Sequence, residues 1–151
     1  MARIVPIDVR FEAEWRRLFR AYGRFYGREL GDAQLDVVWG WLHDPAHEVE
    51  GLLAVDGEQL VGFAHFRRMP SPLRAADVGF LDDLFVDPKA RGGRVGEALL
   101  DALADIARQR GWPVSRWITA DDNYRARALY DRMAMKTMWN LYELTPPAPD
   151  A

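Results

Sequence analysis

The chain is organised around one stretch, FLDDLFVDPKARGGRVGE at residues 80–97, where an apolar strand pattern gives way to a glycine-rich turn and then to a helix. The predicted strand runs from Val78 to Val86, and both of its faces are apolar except at Asp82 and Asp83. From about Gly93 to Arg110 the apolar side chains recur at helical steps, which indicates an amphipathic helix. We therefore expect a buried strand, a tight turn and a long helix in succession.

Similar patterns on either side of this stretch predict the remaining elements. Apolar runs predict strands at Arg3–Ile7, Val49–Val55, Gln59–Phe66, Val114–Thr119 and Thr137–Leu144. Helical steps predict helices from Phe11 to Tyr26, from Asp32 to Leu42 and from Asn123 to Met133. Asp56-Gly57 is typical of an antiparallel hairpin turn, and Pro70-Ser71-Pro72 indicates another turn. The order β-α-α-β-β-β-α-β-α-β predicts an α/β fold of the α+β type: a mixed sheet, antiparallel at first and partly parallel later, with helices on both faces.

Length and composition indicate one globular domain. The chain has 151 residues, of which 49% are hydrophobic and 28% are charged, so it can bury a sizeable core. We expect a single domain over residues 1–145. Residues 146–151 should form a flexible proline-rich tail, because proline cannot continue a helix or a central strand.

Charge, cysteine usage and the amino terminus narrow the classes of function. The formal net charge is −3, which argues against a general nucleic-acid binder. The chain has no cysteine, which excludes thiolate nucleophiles and cysteine-based metal sites, and Pro45 between His43 and His47 disfavours a helical zinc pair, so no metal is expected. We find no signal-peptide pattern and no apolar run long enough to span a membrane, so we expect a cytoplasmic protein that does not act on membranes.

Asp82 and Asp83 are the first candidates for chemistry, because each carboxylate interrupts an apolar row on its own face of the predicted strand. Burying a carboxylate without partners is costly or raises its pKa, so such groups are candidate proton carriers. The alternative is that both lie at the exposed end of the strand, where water or a neighbouring loop satisfies them. The strand pattern leaves both interpretations open.

The turn at residues 91–97 is the second candidate. Its glycines let backbone N–H groups approach a ligand, and the start of the following helix adds partial positive charge, so the turn is suited to hold a phosphate. Arg91 and Arg94 would add charged donors. The spacing fits neither a Walker P-loop nor the dinucleotide pattern, and a simple strand-to-helix turn with surface arginines stays the alternative.

The third candidate is the predicted helix that begins near Asn123. Its apolar face includes Tyr130, which should therefore point inward. A tyrosine on such a face is usually a core residue with one hydrogen-bond partner. Asn123 is a good N-cap residue and needs no ligand to explain it.

Together these features resemble the GNAT superfamily of acetyl-CoA-dependent N-acetyltransferases, over nearly the whole chain. The main motif of that superfamily is a strand followed by Arg/Gln-x-x-Gly-x-Gly/Ala at a helix start. Residues 80–96 are similar to it, although Arg94 stands where the motif most often has its middle glycine. The second motif, Asn-x-x-Ala-x-x-Leu-Tyr, is matched in full by Asn123, Ala126, Leu129 and Tyr130. Residues 117–119 and 129–132 look like the branch that includes histone, polyamine and D-amino-acid acetyltransferases.

The resemblance implies roles for individual residues. The strands at Val78–Val86 and Val114–Thr119 would run parallel but splay apart, so that free backbone groups bind the pantetheine arm of acetyl-CoA. Tyr130 would protonate the departing thiolate, and Asp82 is the candidate base that takes a proton from the amine. The residues implied to bind the cofactor are Leu84, Phe85, Val86, Arg91, Gly92, Gly93, Arg94, Val95, Gly96, Glu97 and Asn123.

The acceptor implied by the resemblance is the primary amine of a small cationic compound, a polyamine or an amino compound, with a protein lysine or N-terminus as the alternative. Tyr26 and Trp41 would contact the amine by cation–π attraction, and Asp83 would add negative charge. Without a cysteine, we expect direct attack in a ternary complex rather than a covalent enzyme intermediate. Members of the branch often dimerise through their last strands, so a homodimer is expected.

Two other classes of function stay open. The first is a catalytically silent acyl-CoA-binding module, which would keep the turn at Gly92–Gly96 but show no turnover with any amine. The second is a phosphate- or nucleotide-binding regulator, which would bind ATP at least as well as CoA.

Overall fold

A computed structural model of the protein describes residues 1–150 and contains a five-stranded mixed sheet. The strands are β1 (Arg3–Pro6), β2 (Val49–Asp56), β3 (Gln59–Ser71), β4 (Ala76–Val86) and β5 (Ser115–Arg116). The helices are α1 (Glu12–Phe25), α2 (Asp32–His43), α3 (Val95–Arg110) and α4 (Tyr124–Met133), and short 3-10 turns lie at Val9–Phe11, Pro72–Arg74 and Pro88–Ala90. The strands lie side by side in chain order; β1 to β4 are antiparallel and β5 is parallel to β4. The predicted mixed α/β fold is confirmed.

The two faces of the sheet carry separate cores, because side chains alternate along each strand. On one face, α1 and α2 pack against the sheet through residues such as Trp15 and Leu35, which contact a cluster that contains Phe63. On the other face, α3 buries Leu99 and Leu103 against the alternate residues of β2 and β3. The helical periodicity of these segments in the sequence therefore corresponds to their buried faces.

The hairpin between β2 and β3 forms where Asp56-Gly57 predicts it, and Gly57 has a φ of 62°. The prediction of a turn at Pro70-Ser71-Pro72 is wrong by two residues. β3 continues to Ser71, which pairs with Ala76, and the chain reverses over Pro72–Arg74. Proline is tolerated there because the end of a strand does not require its backbone N–H.

A β-bulge in β4 changes where the two aspartates point. His65 of β3 is opposite Asp83, and the next residue of β3 is opposite Leu81, so Asp82 is the extra residue. The expectation that the two carboxylates lie on opposite faces is therefore wrong. Both bond to side chains two residues apart on β3, Asp83 to His65 and Asp82 to Arg67.

The predicted strand Thr137–Leu144 is absent from this structure, and β5 is shorter than the predicted Val114–Thr119. A strand needs a hydrogen-bonding neighbour, and β5 pairs with β4 at only two positions. Residues 137–144 have no strand partner in the described part of the chain, and their side chains are exposed. Of the predicted tail, residues 146–150 are exposed without regular secondary structure, and Ala151 lies outside the described residues. None of the helices in residues 1–150 is long and apolar enough to cross a membrane.

We predict that Gly62→Ala destabilises the fold and that Gly40→Ala does not. A Cβ at Gly62 would lie 2.9 Å from the carbonyl oxygen of Phe85 and 3.2 Å from Cγ1 of Val95, so β4 or the start of α3 must move. A Cβ at Gly40, in α2, meets no atom within 4 Å, and alanine favours a helix. Urea unfolding should show a loss of about 1–3 kcal/mol for Gly62→Ala and none for Gly40→Ala. Equal stability of Gly62→Ala and wild type would contradict this close packing.

Candidate active site

The site begins where β4 and β5 separate. The two strands pair only at Gly79 with Ser115 and at Phe80 with Arg116, whereas β4 continues to Val86. In the described part of the chain, no strand covers this edge of β4 after Phe80. The gap leads into a cavity of about 690 Å³. Every residue that was predicted to bind the cofactor lines this cavity except Gly93, which lies in the same turn.

The turn before α3 adopts the backbone shape that the glycine pattern predicts, with one departure. Gly92 has a φ of 95°, and Arg94 is itself left-handed, with φ 60° and ψ 27°. Arg94 therefore adopts the conformation for which glycine is the favoured residue. This explains why the motif most often has a glycine at this position. Immediately after it, the first backbone N–H groups of α3 have no partner within the helix and lie at the cavity.

Four arginines give this end of the cavity a positive character. Arg91 and Arg94 come from the turn, and Arg125 and Arg132 come from α4. Arg132 also bonds to Glu97 of α3, with its Nη2 3.3 Å from Oε2. Sequence reasoning missed Arg125 and Arg132. They lie four residues before and three residues after Leu129, a helical spacing that could have found them.

On α4, Asn123 and Tyr130 both line the cavity. The Asn123 side chain caps the helix by accepting a hydrogen bond from the backbone N–H of Ala126 at 3.4 Å, so the capping interpretation is confirmed. Tyr130 packs edge-on against Trp117, with ring centroids 5.2 Å apart. Burial, with a smaller contribution from Tyr26, raises the pKa of Tyr130 to about 12. Its hydroxyl therefore keeps its proton at neutral pH.

The far end of the cavity is aromatic. Tyr22, Phe25 and Tyr26 at the end of α1 line it, and the rings of Tyr22 and Tyr26 are 5.1 Å apart. Of these three, only Tyr26 is predicted from the sequence to contact substrate. Tyr22 and Phe25 follow the same helical steps as the core residues of α1, so the sequence does not single them out.

The other predicted acceptor residues lie outside the cavity lining. Trp41 stacks on His47 with ring centroids 4.7 Å apart, and the structure does not bring it to the site. Asp82 accepts a hydrogen bond from Nε of Arg67 at 3.0 Å. Burial raises the pKa of Asp82, and Arg67 acts in the opposite direction. Asp83 is not among the lining residues, but its side chain is 24% exposed and interacts with Tyr22, which lines the cavity.

Comparison with known proteins assigns the family. The sequence profile of the Acetyltransferase (GNAT) family matches residues 15–135. The chain belongs to the GNAT acetyltransferases. Enzymes of this family are acyltransferases that use acetyl-CoA. The D-amino-acid N-acetyltransferase HPA3 of Saccharomyces cerevisiae is 30% identical over 142 residues, covering 93% of this chain and 88% of that protein.

Solved GNAT structures have the same fold. The ribosomal-protein-alanine N-acetyltransferase of Brucella melitensis biovar Abortus 2308 superimposes with a TM-score of 0.80 at 26% identity, covering 96% of this chain and 99% of that one. The aminoglycoside N-acetyltransferase AAC(6')-Iy, solved in complex with CoA, gives a TM-score of 0.80 at 17% identity, covering 98% of this chain and 96% of that one. This last similarity concerns the fold alone.

The residues of the GNAT cavity fit acetyl-CoA. The uncovered edge of β4 offers backbone groups, and the start of α3 with four arginines suits phosphates. Gly96 packs so closely that an added Cβ would lie 2.9 Å from Cδ2 of Leu129. A side chain there would disturb the contact between α3 and α4 beside the glycine-rich turn. No group of three or more His, Cys, Asp or Glu side chains within residues 1–150 is arranged to hold a metal ion.

We predict that Arg94→Gly stabilises the fold and weakens CoA binding. The left-handed backbone costs arginine roughly 1–2 kcal/mol, whereas glycine adopts it freely and pays about 0.5–1 kcal/mol in unfolded-state entropy. Urea unfolding should therefore show a gain of about 0.5–1 kcal/mol. The lost guanidinium should weaken CoA roughly three- to tenfold by calorimetry. Gly92→Ala is the matched control and should lose stability, because its φ is 95°. A loss of stability in Arg94→Gly would contradict the idea that the left-handed backbone at Arg94 costs free energy.

Proposed function

We propose that the protein transfers the acetyl group of acetyl-CoA to a primary amine of a small cationic acceptor, a polyamine or an amino compound, by direct attack in a ternary complex. The observation that carries this proposal is a single cavity with arginines and a helix start at one end and aromatic rings at the other, with Tyr130 on its wall. The similarity to a D-amino-acid N-acetyltransferase supports a small amine as acceptor.

The arginine end of the cavity is the proposed CoA site. Backbone N–H groups of Val95, Gly96 and Glu97 would bind the pyrophosphate, and Arg91 and Arg94 would add charge-assisted donors. The uncovered edge at Leu84–Val86 would take the pantetheine arm, since a ligand that pairs with exposed backbone groups replaces the missing strand. Asn123 would contact the same arm in addition to capping α4.

The aromatic end of the cavity is the proposed acceptor site. Tyr22, Phe25 and Tyr26 present rings over which an alkylammonium group is attracted by cation–π interaction. Asp83 lies behind Tyr22 and adds negative charge at this end. The geometry favours Tyr26 over Trp41 as the aromatic contact, because Trp41 is stacked on His47 away from the cavity.

Acetyl-CoA supplies an acetyl thioester, and the protein's residues manage the protons. An alkylammonium group has a pKa of about 10.4, so it must first give one proton to a base, for which the carboxylates of Asp82 and Asp83 are the candidates. The nitrogen then forms the amide bond while the carbon–sulfur bond breaks. Tyr130 gives its hydroxyl proton to the sulfur and is reprotonated by the second proton that the nitrogen releases. The net products are the amide, free CoA and one proton.

The experiment that tests this proposal is a thiol-release assay with acetyl-CoA and a panel of polyamines, D- and L-amino acids and lysine peptides. We expect turnover with at least one small amine and little with the peptides. CoA binding without turnover on any amine would instead identify a silent binding module. ATP binding at least as tight as CoA binding would identify a nucleotide-binding regulator. Preference for the peptides would identify a protein acetyltransferase.

We predict that Tyr130→Phe lowers kcat by roughly 10²- to 10⁴-fold with little change in CoA affinity, because the variant loses the proton donor but keeps the ring. Tyr124→Phe is the matched control on the same helix, since Tyr124 is exposed and lies outside the cavity lining. Its turnover should equal that of wild type. Unchanged kcat in Tyr130→Phe would exclude the proposed role.

We also propose that the protein is a homodimer joined through residues 135–144. The segment has no regular secondary structure and presents exposed apolar side chains, among them Met138 and Trp139 at 95% and 76% exposure. It follows α4 in the chain, and the outer edge of the last strand, β5, has no partner within residues 1–150. A second copy offers the same segment and the same sheet edge, so each copy could provide what the other lacks.

We predict that the double variant Trp139→Glu and Leu141→Glu is a monomer in analytical ultracentrifugation, because charges would be buried at the contact. The control is Leu73→Glu, which changes an exposed leucine on the short turn after β3 and should stay a dimer. A wild-type chain that sediments as a monomer at micromolar concentration would contradict the proposal.

A further inference from the structure

We propose that Trp15 and His65 are a buried positioning pair that holds Asp83 as the uncompensated carboxylate receiving the acceptor's ammonium group. This inference rests on the proposed amine acetylation and chooses between the two carboxylates of β4. It also assigns a role to Trp15 and His65, which lie outside the cavity lining.

The pair forms a continuous chain of hydrogen bonds from α1 through β3 to β4. The indole N–H of Trp15 donates to Nε2 of His65 at 3.0 Å. The opposite ring nitrogen, Nδ1 of His65, lies 2.9 Å from Oδ2 of Asp83. Trp15 and His65 are almost fully buried, with 0% and 2% exposure, whereas the Asp83 side chain keeps 24%. The chain of bonds therefore ends on the one member that an incoming group can reach.

The donors and acceptors fix the tautomer of His65. An indole N–H is only a donor, so Nε2 of His65 must offer its lone pair and carry no proton. A neutral imidazole then has its proton on Nδ1, which donates to the carboxylate of Asp83. Protonating Nε2 would place two N–H groups face to face in a buried site. Trp15 thus keeps His65 neutral while His65 orients Asp83.

The groups around His65 support this arrangement. From α1, Phe19 packs edge-on against the imidazole with centroids 4.9 Å apart, and from β3 Phe63 lies at 4.7 Å. Its strand partner on β2 is Gly51, which has no side chain. The titratable and charged groups that face this region are Asp83 and Asp82 of β4, Arg67 of β3 and Tyr22 of α1.

The two carboxylates of β4 differ in what neutralises them. Asp82 is paired with the guanidinium of Arg67, which also lies 4.7 Å from the ring of Phe80, so its charge is already balanced. Asp83 bonds to a neutral imidazole and faces Tyr22. Burial, together with the negative charge of Asp83, raises the pKa of Tyr22, so that this neighbour is neutral too. Asp83 is therefore the carboxylate whose charge an ammonium group would balance.

Tyr22 connects this carboxylate to the cavity. Its ring lines the acceptor end, packs edge-on against Tyr26 and interacts with Asp83. An ammonium group held by the aromatic rings would approach the part of Asp83 that His65 leaves free. A carboxylate has about four lone-pair sites, and the bonds with His65 and Tyr22 leave part of them free.

The first test does not depend on activity. Nitrogen NMR of the labelled full chain at neutral pH should show His65 as the tautomer with its proton on Nδ1, because Nε2 accepts the indole N–H. In Trp15→Phe, Nε2 loses the indole N–H, so the NMR signal of Nε2 should move and this nitrogen becomes free to bind a proton. A wild-type His65 that is protonated at Nε2, or whose Nε2 signal is the same as in the variant, would overturn the inference whatever the enzyme acetylates.

The second test uses the acceptor KM as a function of pH. In Trp15→Phe, KM for the amine should rise roughly tenfold or more as pH falls through the histidine range, because a charged imidazole then neutralises Asp83. Trp39→Phe is the matched control, since Trp39 is buried 4.9 Å from Trp15 in the same cluster and lies outside this hydrogen-bond chain. It should lose similar stability but keep the wild-type pH profile. Identical pH profiles for the two variants would overturn the inference.

The third test separates the carboxylates. Asp83→Asn should raise the acceptor KM by roughly ten- to a hundredfold, and Asp82→Asn should raise it far less. His65→Asn should stay close to wild type in KM, because its amide N–H can replace Nδ1–H, whereas His65→Leu should resemble Asp83→Asn. An active enzyme in which Asp83→Asn leaves KM unchanged would overturn the inference and leave the proposed function standing. An enzyme inactive on every amine would instead refute the proposed function.

Discussion

The structure depends on the separation of β4 from β5 after Phe80. Gly79 lets the two strands approach closely at their start, where a Cβ would run into Trp112 and Ser115. Beyond that point β4 stays paired with β3, but its other edge, up to Val86, has no strand partner in the described chain. Unpaired buried backbone groups are costly, so an extended ligand that pairs with them is favoured. A GNAT fold therefore provides a binding site by leaving part of its own sheet open.

The ends of the helices around this opening give the cavity two chemically different parts. The start of α3 and the arginines of α4 place positive charge at one end, and the last turn of α1 brings aromatic rings to the other. Tyr130 lies between them and keeps its proton because it is buried. The bulge at Asp82 then places both carboxylates of β4 on the α1 side, where their different partners on β3 make them unequal.

Much of this arrangement is predictable from the sequence, because the strand, the glycine turn and the helical face are local patterns. The residues that sequence reasoning missed depend on contacts between distant elements. His65 lies 18 positions before Asp83 and 50 after Trp15, and only the sheet register brings the three together. The sequence predicts Trp41 at the acceptor site, but no residue of α2 lines the cavity. The bulge and the unpaired segment at 137–144 also depend on which strands become neighbours.

The most direct test of the open edge is amide hydrogen exchange with and without CoA. We expect CoA to protect the backbone N–H groups of Leu84–Val86 and Val95–Glu97, and to leave the paired residues of β2 unchanged. Protection confined to other parts of the surface, or none at a CoA concentration far above the enzyme concentration, would contradict the idea that the gap between β4 and β5 receives the thioester.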